Sequence, residues 1–310
     1  MTGFPLSTAT GALQLRVGSV SHVGMVRTVN EDAVLAEPPV FAVADGMGGH
    51  AFGDRASAAA ILALHEEFDP EQATDSSQVF AAIRRANAAV RDLTAWAGSE
   101  RVMAGTTLTG VALVVESPGA LPQWMVFNLG DSRVYRWLDR PGAGALERVS
   151  VDHSLVQELL DAGEIDEAGA RVHPERNVVT RALGAADEVS AEAWLLPASE
   201  QQAFLICSDG LTKELDDSRI AELLVALDPS ESPDAAVDRL LAAALSAGGS
   251  DNVSIVLLRA EYQPAQPAAQ PSTGDGVAQT FIDEQTHERV SWADFASGLS
   301  PELDDTRPRR

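Results

Sequence analysis

The sequence predicts an α+β fold in which antiparallel sheets carry helical layers on their outer faces. Two observations lead there. Strand-like apolar runs come in two groups, each followed by a pair of helical segments, a pattern of segregated sheets and helices rather than alternating βαβ units. Of the 310 residues, 45% are hydrophobic, which is enough for a sizeable core in one large domain or two ordinary ones.

Residues 13 to 36 read as two extended segments, LQLRVGSVSHVG and EDAVLAE, joined by a polar turn around Arg27 to Asn30. The run at 40 to 44 predicts a buried strand. Helices follow at about 54 to 68 and 76 to 96, the second with Val79, Ile83, Ala86, Val90 and Leu93 at helical spacing. From 105 to 150, GTTLTGVALVVE, QWMVFNLG and SRVYRWL predict successive strands of an antiparallel meander. Residues 153 to 170 predict short helices and loop, and NVVTRALG an irregular stretch. A strand ending near Asp209, helices at about 217 to 227 and 233 to 247, and a last strand at 252 to 260 complete a domain spanning 13 to 261. Residues 1 to 12 are read as an N-terminal extension. From 262 to 310 the tract YQPAQPAAQPSTGDG and the acidic stretch after it predict a linker or disordered tail, with Phe281, Trp292 and Phe295 as isolated anchors.

The net charge of −24 argues against nucleic acid and anionic membrane surfaces as partners, since both are held by clusters of Lys and Arg. No apolar run reaches the roughly 18 to 20 residues that span a bilayer. The single cysteine, Cys207, excludes an intramolecular disulfide and fits a reducing compartment. A cytoplasmic, monomeric protein is expected.

The candidate chemistry lies in the aspartates. FAVADGMGGH brings Asp45 to the end of a strand and follows it with Gly46, Gly48 and Gly49; WMVFNLGDSR places Asp131, and AFLICSDGL places Asp209, in the same way. In GGSDNVSIVLL the order reverses, with Asp251 opening the strand. One Asp-Gly pair is an ordinary turn. Four strand-end carboxylates are poorly explained as turns, and gathered together they would repel one another unless cations sat among them.

Carboxylate oxygens suit hard cations such as Mg²⁺ and Mn²⁺. The histidines show no paired zinc-ligand spacing, and no helix-loop-helix calcium loop is present. Two hard ions about 3.5 to 4 Å apart lower the pKa of a shared water from about 15.7 towards neutrality and favour in-line displacement at phosphorus. In GMVRTVNEDA, Arg27 offers a planar fork for a phosphate, and Asp32 lies near enough in sequence to join the carboxylates.

RTVNED, ADGMGGH, GTTL, NLGDSR, DHSL, TRALG, CSDGL and SDNVSIVLL, in this order over about residues 13 to 260, resemble the metal-dependent protein phosphatases, the type 2C serine/threonine phosphatases. The resemblance implies a central β-sandwich of two antiparallel sheets flanked by helices on both faces. It implies that Asp45 bridges two Mn²⁺ or Mg²⁺ ions, that the Gly46 carbonyl binds one of them, and that Asp209 and Asp251 complete the other's shell. Asp32 would act through water, Arg27 would grip the substrate phosphate, and Asp131 with Asp209 would hold a third, weaker ion. The segment from about 154 to 177 would be a mobile flap. The substrates implied are phosphoserine and phosphothreonine proteins. The abundance of Ala and Arg beside a single lysine, Lys213, suggests a GC-rich bacterial genome and hence a eukaryotic-like serine/threonine kinase as counterpart.

One position departs from the family's animal members, which place a histidine after the Asp-Gly pair as the proposed general acid. Here that residue is Met47, which holds no proton, so a metal-bound water is expected to protonate the leaving alkoxide. His50 would serve only if the turn folded back. Two rival readings are a cysteine-dependent phosphatase, for which the phosphate-clamping arginine six positions after Cys207 is instead Lys213, and a pseudophosphatase-like binding or scaffold protein.

Overall fold

The computed structural model describes residues 2–48, 52–96, 104–138, 145–198, 201–225, 231–265 and 288–291. In chain order they form β1 (Thr2–Thr8), β2 (Gly11–His22), β3 (Asp32–Glu37), β4 (Val40–Met47), α1 (Gly53–His65), α2 (Ser76–Trp96), β5 (Gly105–Thr106), β6 (Leu108–Val114), β7 (Gln123–Leu129) and β8 (Arg133–Leu138). Then come β9 (Ala145–Arg148), α3 (Leu155–Asp161), α4 (Glu167–Val172), β10 (Glu192–Pro197), β11 (Gln201–Cys207), α5 (Asp209–Thr212), α6 (Asp217–Val225), α7 (Pro233–Ala247), β12 (Val253–Pro264) and β13 (Glu288–Ser291).

The strands make two antiparallel sheets. One has the order β1-β2-β12-β11-β8-β9; the other runs β13-β10-β7-β6-β4-β3, with β5 pairing β4. Strand alternation then decides the layers, because both faces of the central strands are buried. Phe41 and Val43 of β4, Trp124 and Val126 of β7, Phe204 and Ile206 of β11, and Val256 and Leu258 of β12 fill the space between the sheets. The rings of Trp124 and Phe204 meet there at 5.4 Å between centroids. The alternate residues point outwards: Ala42 and Ala44 take α1 through Ala56 and Ala60, while Leu205, Cys207 and Leu257 take α7 through Val237 and Leu240. The small alanines on β4 let α1 approach closely, whereas larger side chains on β11 and β12 meet α7. The result is the helix-sheet-sheet-helix sandwich expected from the motif series.

Several boundaries differ from the sequence expectations. Residues 2–8, read as an extension, form the edge strand β1 against β2, with Leu6 only 1% exposed in the core between the sheets. The predicted meander is broken: β6 and β7 pair in one sheet, but β8 pairs with β11 and β9 in the other. The chain crosses between sheets at the Gly130–Ser132 turn, and crossing there brings Asp131 to the end of both. Strands β9 and β10 went unpredicted; β10 pairs with β7 over Glu192–Pro197. Strand β12 continues to Pro264, since Tyr262 is buried and its hydroxyl donates to the Thr10 carbonyl at 2.9 Å. Within the expected tail, Glu288–Ser291 pairs with β10, while Phe281, Trp292 and Phe295 lie outside the described residues.

Leu6→Ala removes a fully packed side chain from this edge, so it should lower unfolding stability by about 2 to 4 kcal/mol in urea denaturation. A loss near zero would place β1 outside the cooperative domain.

Candidate metal centre

Five elements deliver the predicted aspartates to one end of the sandwich. Asp32 opens β3 and stands directly opposite Asp45 of β4 in the antiparallel register. Asp131 follows β7, Asp209 opens α5 just beyond β11, and Asp251 precedes β12. The backbone of Asp45 is clamped by the GTTL threonines: its N–H donates to Thr107 Oγ1 at 2.9 Å, and its carbonyl accepts from Thr106 Oγ1 and the Thr107 N–H, each at 2.9 Å. The Thr107 hydroxyl also meets that of Ser132 at 2.9 Å, tying the Asp45 strand to the Asp131 turn.

Between the sheets the tie is Ser208. Its hydroxyl donates to Asp32 Oδ2 at 2.8 Å and accepts from the Ser254 N–H at 3.0 Å, so the residue just after β11 holds a β3 carboxylate beside β12. Asn252 performs the corresponding task for the Arg27 loop. Its amide donates to the carbonyls of Val23 and Val29 at 2.9 Å each, and its Oδ1 accepts from the Glu31 N–H at 2.9 Å. Neither Ser208 nor Asn252 stood out in the sequence, although both lie inside the motifs CSDGL and SDNVSIVLL.

The glycines after Asp45 and Asp209 answer to backbone crowding. A Cβ at Gly46 would run into the carbonyls of Gly53 and Glu31, and one at Gly210 into that of Asn252. Gly46 donates its N–H to the Glu31 carbonyl at 3.0 Å. These glycines therefore let the site's own loops close on one another.

Burial is the largest influence on Asp32, Asp45 and Asp131, and neighbouring carboxylates add to it. Asp45 is raised well above the ordinary range by burial and then by the charges of Asp32, Asp209 and Asp131. Burial raises Asp32 to about 7 against the hydrogen bonds from Ser254 and Ser208, with Asp209 and Asp251 adding repulsion. Asp131 likewise rises to about 7 through burial, Asp209 and Asp152. Asp251 moves the other way: burial would raise it, but Lys213 and Arg27 hold it below the usual carboxylate range. The Arg27 fork lies on Asp251, Nε to Oδ1 at 2.9 Å and a terminal nitrogen to Oδ2 at 3.0 Å. The Lys213 ammonium spans Asp209 Oδ2 at 2.5 Å and Asp251 Oδ2 at 2.8 Å.

These residues fit a hard divalent cation. Asp32 Oδ1 and Asp209 Oδ1 are buried without a hydrogen-bond partner, and oxygen donors that repel one another are what such an ion neutralises. Among the described residues no three His, Cys, Asp or Glu side chains already form a cage, because Lys213 and Arg27 draw Asp251 to themselves. Met47 ends β4, paired with Gly105, and His50 lies outside the described residues. The expected flap starts at the Ser154 cap of α3. Neither α3 nor α4 has a buried residue, and the segment is held at its base by the Thr180 N–H on the His153 carbonyl at 2.9 Å. Cys207 is fully buried, and burial pushes its thiol up to about 12, which removes the thiolate that a cysteine mechanism needs.

Residues 25–246 match the family model described as Protein phosphatase 2C. The chain belongs to the protein phosphatase 2C family. It is 36% identical over 259 residues to the serine/threonine protein phosphatase PstP of Mycobacterium tuberculosis, covering 82% of this chain and 47% of that protein. The chain thus spans about half the length of that curated relative. The crystal structure of the Mycobacterium tuberculosis phosphatase PstP/Ppp superposes with a TM-score of 0.69 at 34% identity, over 79% of this chain and 97% of the other. The catalytic domain of PstP in complex with two manganese ions gives 0.67 at 33% identity, over 81% and 99%. The family and its manganese-bound relative support a divalent metal cofactor for this 2C-type domain.

The raised carboxylates have a definite pH signature. A carboxylate whose folded pKa lies above its unfolded value favours folding below the unfolded value and loses that contribution as pH rises through the folded one. Chelator-treated protein should therefore lose stability between about pH 4 and about pH 8, and Asp131→Asn should flatten part of that loss. Urea denaturation across this range in excess chelator measures both slopes.

Proposed function

We propose that this protein is a metal-dependent serine/threonine phosphatase acting on phosphoserine and phosphothreonine side chains of proteins. The observation that carries the reading is the convergence of Asp32, Asp45, Asp131, Asp209 and Asp251 on one electrostatically coupled site, with two buried carboxylate oxygens left unpaired. Asp45, the Gly46 carbonyl, Asp209 and Asp251 would hold two Mn²⁺ or Mg²⁺ ions, and Asp131 with Asp209 a third, weaker one. Bound there, the ions would activate a water for attack on phosphorus and offset charge on the phosphoryl oxygens.

The chain's own residues supply position. Ser208 fixes the Asp32 carboxylate, and Asp32 orients water at the edge of the cluster. Arg27 has a side chain 49% exposed, so its fork can exchange Asp251 for a phosphate arriving from solvent. Cys207 takes no part, and Met47 leaves protonation of the departing alkoxide to water. A serine/threonine kinase is the natural counterpart. Among the described residues no helix is long and apolar enough to cross a membrane.

Asp209→Asn and Asp251→Asn should each fold and lose turnover of a phosphothreonine peptide by about a hundredfold or more at limiting Mn²⁺. Near-normal rates in folded variants would overturn the metal-ligand roles. Arg27→Ala should raise KM for the same peptide by about tenfold while changing kcat little, because a phosphate clamp acts in ground and transition states alike. A larger Mn²⁺ requirement at unchanged KM would instead make Arg27 an organiser of Asp251.

A further inference from the structure

The chain contains 22 lysines and arginines together, and Lys213 is its only lysine. That lysine lies in the acidic cluster. It follows α5 as its cap, with its backbone N–H donating to the Asp209 carbonyl at 2.7 Å, so its stem is anchored one turn from Asp209. The ammonium reaches Asp209 Oδ2 at 2.5 Å and, across to the start of β12, Asp251 Oδ2 at 2.8 Å. A solvated surface pair on one helical turn would involve Asp209 alone. Lys213 joins carboxylates of two separate elements, and its side chain is 29% exposed.

We propose that Lys213 is an internal counter-ion that holds Asp209 and Asp251 together and competes with divalent cations for their oxygens, thereby setting the metal affinity of the site. The inference rests on the reading of Asp209 and Asp251 as metal ligands. A hard cation approaches carboxylate oxygens to about 2.0 to 2.2 Å. An ammonium left on the same two oxygens would then be separated from it by only a few ångströms, and like charges that close repel strongly when partly shielded from water. Lys213 must therefore swing out as the ion enters, so its charge opposes binding. Lysine suits a counter-ion that must let go. Its compact charge on a flexible stem lacks the planar fork with which Arg27 already grips Asp251.

The test uses full-length protein stripped by chelator and dialysed. Isothermal titration with Mn²⁺ compares wild type with Lys213→Met and Lys213→Arg. Lys213→Met should bind Mn²⁺ more tightly, on the order of tenfold. Lys213→Arg, which keeps the charge, should bind no more tightly than wild type. A residue needed merely to build the site would show the opposite, with Lys213→Met binding more weakly; that result, or equal affinity, overturns the proposal. Wild type that takes up no Mn²⁺ at all would overturn the ligand reading and the proposal with it.

A second measurement needs no variant. Amine-directed labelling of Lys213 in wild type, followed by mass spectrometry of its peptide, should accelerate when saturating Mn²⁺ takes its carboxylate partners. Labelling slowed or unchanged by Mn²⁺ would show that the ammonium keeps its place without competing, and would also overturn the proposal.

Discussion

Repulsion among Asp32, Asp45, Asp131 and Asp209 is the constraint around which this end of the molecule is built. Burial and neighbouring charge push Asp32, Asp45 and Asp131 towards protonation, a cost that folding must meet to keep them together. Much of the surrounding hydrogen bonding opposes their separation. Thr106 and Thr107 fix the Asp45 backbone, Ser132 links it to the Asp131 turn, and Ser208 holds Asp32 from the opposite sheet. Each tie uses a short hydroxyl side chain, which can bond a backbone or carboxylate group without filling the space between the acids.

The sandwich makes such convergence feasible. Both faces of β4, β7, β11 and β12 are packed, one against the other sheet and one against a helix, so the strand ends have little freedom to splay apart. The close approach of Gly46 to Gly53 and of Gly210 to Asn252 then transfers that rigidity to the loops beyond the strands. The face opposite the site's backbone is different. Arg27 is exposed, and neither α3 nor α4 has a fully buried residue.

Among the described residues, two side chains of different kinds place positive charge on the acidic cluster. Arg27 grips one carboxylate through a planar fork on an exposed loop, whereas Lys213 bridges two through a single ammonium. Together they pull Asp251 below the usual carboxylate range while its neighbours rise. Asp251 is thus the carboxylate of the cluster whose charge is already balanced.

Much of this was determined by the sequence alone. Apolar runs and helical spacing located α1, α2, α6 and α7 and most strands, because their periodicity records which faces are buried. The repeated placement of Asp at strand ends marked Asp45, Asp131, Asp209 and Asp251, since a carboxylate there must be either solvated or matched by a cation. Tertiary structure decided the remainder. That β7 and β8 belong to different sheets depends on hydrogen bonds to partners distant in the chain, which local alternation does not encode. Strand β1 is held by pairing with β2 and by Leu6 in a core built from residues hundreds of positions away. The same holds for the roles of Ser208, Asn252 and Lys213: each acts by joining elements far apart in the chain, and a contact of that kind exists only once the two sheets have closed on each other.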